Sequence, residues 1–269
     1  MKLCFSSLGC PQYTFDEIIA TAKQNHFDGI ELRTVCGTTD LWTIPDFSED
    51  NLPIAKQKCK AAGLEIVVVG TSVAFSDNDA QHVQTQMENL HHYAKIAAGL
   101  GCSYLRVFGG VIPEGQTIES SLVNAMSGYR EAQKIAAQYG VTLLVETHDD
   151  FSTSAALLPL IEPFGGKIGV IWDILHPYRF GEAMDVTSRA LAPYIKHVHI
   201  KDSCHFSAET FDIALPGTGI LPVGEAISLL KASGYEGYLS FEWEKHWHPE
   251  IQDPEIAIPA FRAWIAQFL

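Results

Sequence analysis

Short apolar runs, each too brief for a helix, alternate with helical stretches from one end of the chain to the other. That alternation restricts the fold more than any other feature. The runs are Lys2–Ser7, Gly29–Arg33, Leu64–Gly70, Tyr104–Phe108, Thr142–Thr147, Ile168–Asp173, Ile195–Lys201 and Tyr238–Trp243. They are rich in β-branched residues and bounded by glycine or polar turns, as strands are. Helical signals fall between them. Thr14-Phe15-Asp16-Glu17 has the form of a capping box, and Asp253-Pro254-Glu255 places an N-cap and an N1 proline at the start of the last helix. Gln81–Leu100 and Ile118–Tyr139 have helical composition, and Gly63, Gly101 and Gly140 stand where left-handed C-caps are expected. Eight strand–helix units predict an α/β fold, a single (β/α)8 TIM barrel, with a doubly wound open sheet as the alternative. No linker or shift in composition divides the chain, so residues 1–269 read as one domain.

Charge narrows the partners. Lys and Arg total 18 against 32 Asp and Glu, a formal net charge of −14. Such a field repels nucleic-acid phosphates and anionic membrane surfaces. The six cysteines are scattered and form no CxxC pair, which suits reduced thiols in a cytoplasmic protein. The first residues turn polar too soon for a signal peptide, and no apolar run approaches a membrane span. The expected partner is a small molecule, with a further copy of the chain in a homo-oligomer as the only macromolecular one considered.

In a barrel, chemistry gathers at the C-terminal ends of the strands. The fifth run ends Val145-Glu146-Thr147-His148, the sixth Trp172-Asp173-Ile174-Leu175-His176, the seventh His197-Val198-His199-Ile200-Lys201-Asp202, and the eighth Phe241-Glu242-Trp243-Glu244. Alternation of side chains puts Glu146 with His148, His199 with His197 and Lys201, and Glu242 with Glu244. If those faces point inward, three carboxylates and an imidazole converge. Buried carboxylates repel one another unless their pKa values rise or a cation neutralises them. One divalent ion held by Glu146, Asp173, His199 and Glu242 resolves the conflict. The donor set suits manganese, taken as the first choice, or magnesium, cobalt or zinc. Read singly, the neighbours have plainer roles: His197 as a hydrogen-bonded interior residue, Glu244 as the partner of a nearby base, and Gly109-Gly110 and Pro216-Gly217-Thr218-Gly219 as turns. Phe108, Trp243 and Trp247 lie at or beyond strand ends and are expected to wall the substrate pocket.

These motifs, with Phe27-Asp28-Gly29-Ile30-Glu31-Leu32, Leu105-Arg106-Val107-Phe108-Gly109-Gly110 and Gly234-Tyr235-Glu236-Gly237-Tyr238, make the chain resemble the sugar phosphate isomerase/epimerase family, the xylose isomerase-like barrels. The resemblance implies the same four metal ligands. It also implies that Glu146 and Glu242 move protons and that His176 holds a substrate oxygen, as in the family's ketose epimerases. Those epimerases carry an arginine shortly after the seventh-strand histidine, where this chain has Lys201-Asp202-Ser203-Cys204-His205. His148 and Lys201 are accordingly grouped with the substrate-binding residues. The expected activity is a metal-dependent isomerase or epimerase of a sugar or related keto-polyol. The alternatives are a dehydratase or lyase of a keto-polyol of the inosose or dehydroshikimate type, an apurinic endonuclease-like phosphodiesterase, and a sugar-sensing barrel without catalysis.

Overall fold

The eight expected strands form and pair around a closed ring in a computed structural model spanning residues 1–269. The strands are β1 (Lys2–Ser6), β2 (Gly29–Leu32), β3 (Glu65–Ala74), β4 (Tyr104–Phe108), β5 (Thr142–Glu146), β6 (Ile168–Asp173), β7 (Ile195–Ile200), β8 (Asp202–Phe206), β9 (Phe211–Ala214) and β10 (Tyr238–Phe241). All but β8 and β9 belong to the ring, in the order β1-β10-β7-β6-β5-β4-β3-β2, and every pairing is parallel. Because β1 pairs with both β2 and β10, the sheet has no edge and the open-sheet alternative is ruled out.

The helices between the strands are α1 (Phe15–Gln24), α2 (Leu52–Ala62), α3 (Ala80–Leu100), α4 (Ile118–Gln138), α5 (Ser154–Ile161), α6 (Leu175–Arg179), α7 (Met184–Leu191), α8 (Val223–Ala232) and α9 (Pro254–Ile265). Helix α1 starts where Thr14 accepts from the Glu17 amide at 3.3 Å and Glu17 accepts from the Thr14 amide at 2.8 Å. This reciprocal pair satisfies two orphan donors. Gly63 and Gly101 end α2 and α3 with φ of 75° and 80°, a left-handed conformation that glycine adopts at no steric cost. At α9 the expected N-cap and N1 proline are in place as Asp253 and Pro254. Asp253 holds the N-cap position but makes no capping bond; Lys245, 3.0 Å away, takes its carboxylate instead.

Several strands stop short of the runs read from sequence. β2 ends at Leu32, β7 at Ile200 and β10 at Phe241, so Arg33, Lys201 and Glu242 lie just past the ladder. There the backbone leaves the ladder, and of the three side chains Arg33 and Glu242 line the mouth. The antiparallel hairpin β8–β9 is absent from the sequence reading. Its strands are only five and four residues long, too short for a sustained apolar alternation to mark them. The Pro216–Gly219 turn packs on this hairpin. Its Gly217 and Gly219 amides both donate to Asp202 Oδ2 at 2.9 Å, so the cradle is filled by the chain's own carboxylate.

One large apolar core joins the outer barrel surface to the helices. A separate cluster of six, Cys4, Val67, Val68, Leu144, Ile171 and Tyr238, packs together. Leu144 shares its strand face with Glu146, and Ile171 shares its face with Asp173. The polar cluster therefore rests directly on apolar packing.

Candidate metal centre and substrate cavity

Sheet register brings the strand-end residues together. Asp173 pairs with His199, His199 pairs with Ser240, and the Glu242 amide donates to the Ile200 carbonyl at 3.0 Å. Donor atoms from Glu146, Asp173, His199 and Glu242 all lie within 4.8 Å of one another, and all four residues are buried. His199 Nδ1 is 3.0 Å from Glu146 Oε1, 3.1 Å from Glu242 Oε2 and 3.9 Å from Asp173 Oδ2.

Beneath this group lies a second one that sequence reasoning did not single out. Glu31 Oε2 takes His197 Nε2 at 2.8 Å, His199 Nε2 at 2.9 Å and the Ser240 hydroxyl at 3.0 Å. An ionised carboxylate only accepts, so His199 must carry its proton on Nε2. That fixes Nδ1 as the nitrogen facing the three upper carboxylates. His197 thus has the interior, hydrogen-bonded role expected of it.

Three cations of the chain offset the buried acids. Arg106 Nη1 is 3.1 Å from Glu146 Oε2 and 3.6 Å from Glu242 Oε1. Lys201 Nζ lies 2.7 Å from Asp173, 2.6 Å from Glu242 and 2.5 Å from Glu244. The third is His199: burial opposes its imidazolium, but Glu242, Glu31 and Glu146 outweigh burial and hold its pKa well above the usual value. Glu242 is held well below the carboxylate range, since His199 and Lys201 overcome the penalty of burial. Asp173 goes the other way. Burial lifts it to about 6, and Glu242 and Glu146 add to that against the pull of Lys201.

The residues fit a divalent ion. Asp173 Oδ2 is buried and makes no hydrogen bond, with the Lys201 ammonium 2.7 Å away as its counter-charge. Three carboxylate oxygens and one imidazole nitrogen form a mixed donor set of the kind divalent first-row metals take. A cation seated there would replace the Nδ1 proton of His199.

A cavity of about 390 Å³ opens above the cluster. Phe108, His148, His176 and Trp247 line it, with Arg33, Arg106, Arg179, Phe211 and Glu242. His176 is buried with both ring nitrogens unpartnered, and its ring centroid is 4.4 Å from that of His148. Burial, reinforced by the charges of His148, Lys201 and Arg179, depresses its pKa well below the usual value, so the ring is neutral. His148 is held by Asp149 at 2.8 Å. Two other cavities, of about 330 and 430 Å³, lie around Tyr104, Lys196 and Gly237 at the N-terminal end of the barrel, away from every strand-end residue named above.

Two expected substrate contacts are corrected. Trp243 does not wall the cavity. It lies on the face opposite Glu242, is 1% exposed, stacks on Phe241 and donates Nε1 to the Gln252 carbonyl at 2.8 Å. Its size and satisfied indole make it a core residue. Trp243→Ala should cost about 3–5 kcal/mol of stability, read as a lower urea midpoint, with metal binding retained by the folded fraction. Lys201 is also absent from the cavity wall. It shares the inward face of His199, and its ammonium turns into the carboxylates.

Glu31, Arg33, Arg106, Arg179 and Phe211 went unpredicted. Glu31 and Arg106 carried a usable signal: each is a charge in the middle of an otherwise apolar strand, where charge is rarely tolerated without a partner. Phe211 carried none, because its hairpin was not legible.

A closed parallel barrel with a buried cluster of acids and a histidine at its C-terminal mouth defines the class: a TIM-barrel protein with side chains that could hold a metal ion. Residues 19–267 match the family described as xylose isomerase-like TIM barrel, and the chain belongs to that family. An inosose isomerase of Halalkalibacterium halodurans is 23% identical over 255 residues, 90% of this chain and 87% of that protein. A 3-dehydroshikimate dehydratase of Bacillus anthracis is 23% identical over 96% of this chain and 95% of its own length. The crystal structure of the IolI protein with a zinc atom superposes with a TM-score of 0.84 at 19% identity, covering 100% of this chain and 98% of that one. This last likeness is one of fold. No helix of the chain is long and apolar enough to cross a membrane.

Proposed function

We propose that the chain is a metal-dependent isomerase or epimerase acting on a sugar or related keto-polyol. The observation that carries this reading is the convergence of Glu146, Asp173, His199 and Glu242 donor atoms within 4.8 Å, below a cavity of small-molecule size. Relatives named for inosose isomerisation and for inosose and 3-dehydroshikimate dehydration support the substrate class. Manganese is the first choice of metal, with magnesium, cobalt and zinc fitting the same donors. The six free thiols, four of them buried, suit a cytoplasmic enzyme.

A divalent ion in this site supplies Lewis acidity toward a carbonyl and its neighbouring hydroxyl, acidifying the hydrogen between them. The chain's residues do the rest. Glu146 and Glu242 come from β5 and β10, which β6 and β7 separate in the ring. They reach a ligand from different sides, so one removes the proton and the other returns it. His176, neutral and unpartnered, donates to a substrate oxygen. Phe108 and Phe211 give the cavity apolar walls that keep water from the reacting carbon.

The test is metal-reconstituted protein incubated with ketoses, aldoses and inososes in deuterated water. Deuterium uptake at carbon with product of unchanged composition supports the reading. A product one water lighter identifies a dehydratase, which two of the relatives favour by name. No exchange from any compound sinks both.

Glu31 tests the centre from below. Partners of metal-bound histidines typically set affinity by about 10–100-fold. Glu31→Gln keeps the shape but removes the carboxylate that fixes the His199 tautomer. It should weaken metal binding by about that factor in equilibrium dialysis, with far-UV circular dichroism unchanged. Wild-type affinity in this variant would rule out the positioning role.

A further inference from the structure

The cations around the cavity fall into two kinds. Arg106 and Lys201 are matched to carboxylates, as described above. Arg33 is not. It is 2% exposed, follows β2 directly, and lines the cavity, yet no carboxylate oxygen lies within 4.0 Å of it. Nη2 donates to Ser72 Oγ at 2.6 Å and the Tyr93 hydroxyl lies close to the guanidinium, while Nε and Nη1 make no hydrogen bond. Those two nitrogens carry three of the five guanidinium N–H donors.

A buried charge without a counter-ion costs several kcal/mol, and Arg106 beside it adds repulsion. Burial first and Arg106 second push the Arg33 pKa down to about 10, so it stays charged at neutral pH. The seat is nonetheless built for it. Ser7 Oγ accepts from the Arg33 amide at 2.8 Å. Gly70 leaves space where a Cβ would meet Arg33 Cδ at 2.8 Å. Arg179, from α6, lines the same cavity. It too has no carboxylate within 4.0 Å, and its Nε is unpartnered. The acids that line the cavity, Asp149, Glu242 and Glu244, already face His148, Arg106 and Lys201, so a neutral polyol would satisfy the donors but give neither arginine a direct ion pair.

We propose that Arg33, with Arg179, forms an anion subsite, so that the substrate is a keto-polyol carrying an acidic group, a carboxylate or a phosphate, held away from its reacting carbonyl. This rests on the isomerase reading for the carbonyl end, while the subsite itself is tested without turnover. Guanidinium groups match either anion through paired, charge-assisted hydrogen bonds.

The experiment is calorimetric titration of metal-loaded protein with three compounds sharing one polyol chain: sorbitol, gluconate and sorbitol 6-phosphate. Wild type should bind one or both acids about tenfold or more tighter than sorbitol. The tighter acid identifies carboxylate or phosphate. Arg33→Gln should abolish the preference, and Arg33→Lys should restore part of it. Metal-free Arg33→Gln should melt no lower than wild type, because it removes an uncompensated charge. Equal binding of sorbitol, no binding of either acid, or an acid preference that survives Arg33→Gln would each overturn the subsite. Deuterium exchange by the same metal-loaded protein, measured on carbonyl compounds, namely neutral ketoses and inososes beside a ketose 6-phosphate and a keto-aldonate, separates the two ideas. Acid preference in the titrations without exchange from any of these carbonyl compounds counts against the isomerase reading alone, whereas exchange from neutral ketoses or inososes without acid preference counts against the subsite alone.

Discussion

Asp173→Ala is expected to strip the metal from the protein while the barrel remains folded. Asp173 ends β6 with Oδ1 accepting from the Leu175 amide at 2.8 Å and Oδ2 free of any hydrogen bond. Its first oxygen therefore orders the start of α6, while its second faces the Lys201 ammonium at 2.7 Å, a place a metal ion would share or take over. Indirect partners of a ligand alter affinity by about 10–100-fold. Losing a ligand outright should exceed that, taking metal content after dialysis close to zero by elemental analysis. The fold should survive, since Lys201 keeps Glu242 and Glu244 as partners. Stability gives a second reading with a definite sign. A carboxyl whose pKa rises on folding stabilises the protein at low pH, and that contribution is lost as pH rises through the folded value, here about 6. Ionised Asp173 is therefore a burden on the metal-free protein at neutral pH. Metal-free Asp173→Asn should melt no lower than wild type at pH 7, while added metal should raise the melting temperature of the wild type only. Unchanged metal content in Asp173→Ala would remove Asp173 from the centre.

The ring of strands was legible because each run is short, rich in apolar residues and bounded by glycine or polar turns, as strands buried on both faces are, and those signals are local. β4 and β6 match their expected bounds residue for residue. The four converging donors were legible for the same reason: a strand end has a fixed place in a barrel, so a Glu or Asp there projects toward the mouth. What sequence did not disclose depends on contacts far apart in the chain. Glu31 reaches His197 and His199 across 166 and 168 residues. Nothing local distinguishes Lys201 pointing into the cavity from Lys201 pointing into the carboxylates. Trp243 was ambiguous between wall and core. The side-chain alternation that puts Glu242 inside sends its neighbour outward, and the stacked Phe241 and Phe261 rings, 4.4 Å apart, continue the apolar layer that receives it. The β8–β9 strands, of five and four residues, are too short to give a periodic signal, and Phe211 reaches the cavity through that hairpin.

Glu146→Gln and Glu242→Gln should each lower turnover by about 10²–10⁴-fold, the usual worth of a general acid or base, while both variants still bind some metal. The geometry makes the substitution informative. Glu146 gives one oxygen to His199 at 3.0 Å and the other to Arg106 at 3.1 Å. Glu242 faces His199 at 3.1 Å and Lys201 at 2.6 Å through one oxygen and Arg106 at 3.6 Å through the other. Each is a carboxylate among donors, and each has a pKa below the ordinary value, because His199 with Arg106 or Lys201 outweighs burial. Both are therefore ionised at neutral pH and available as bases, though weakened ones. Glutamine keeps an oxygen for the cluster but cannot take up a proton, and its amide group adds a donor beside Arg106, Lys201 or His199. Loss of rate with retained metal thus isolates proton transfer from ligation. Deuterated solvent then orders the steps. A variant that no longer turns over, yet still exchanges the substrate hydrogen next to the carbonyl, has kept the first base and lost the returning acid. The other glutamate is then the one that starts the reaction. Near-normal turnover in both variants with metal bound would exclude the two-glutamate mechanism and move proton transfer to another titratable group lining the cavity, among them His148, His176 and Glu244.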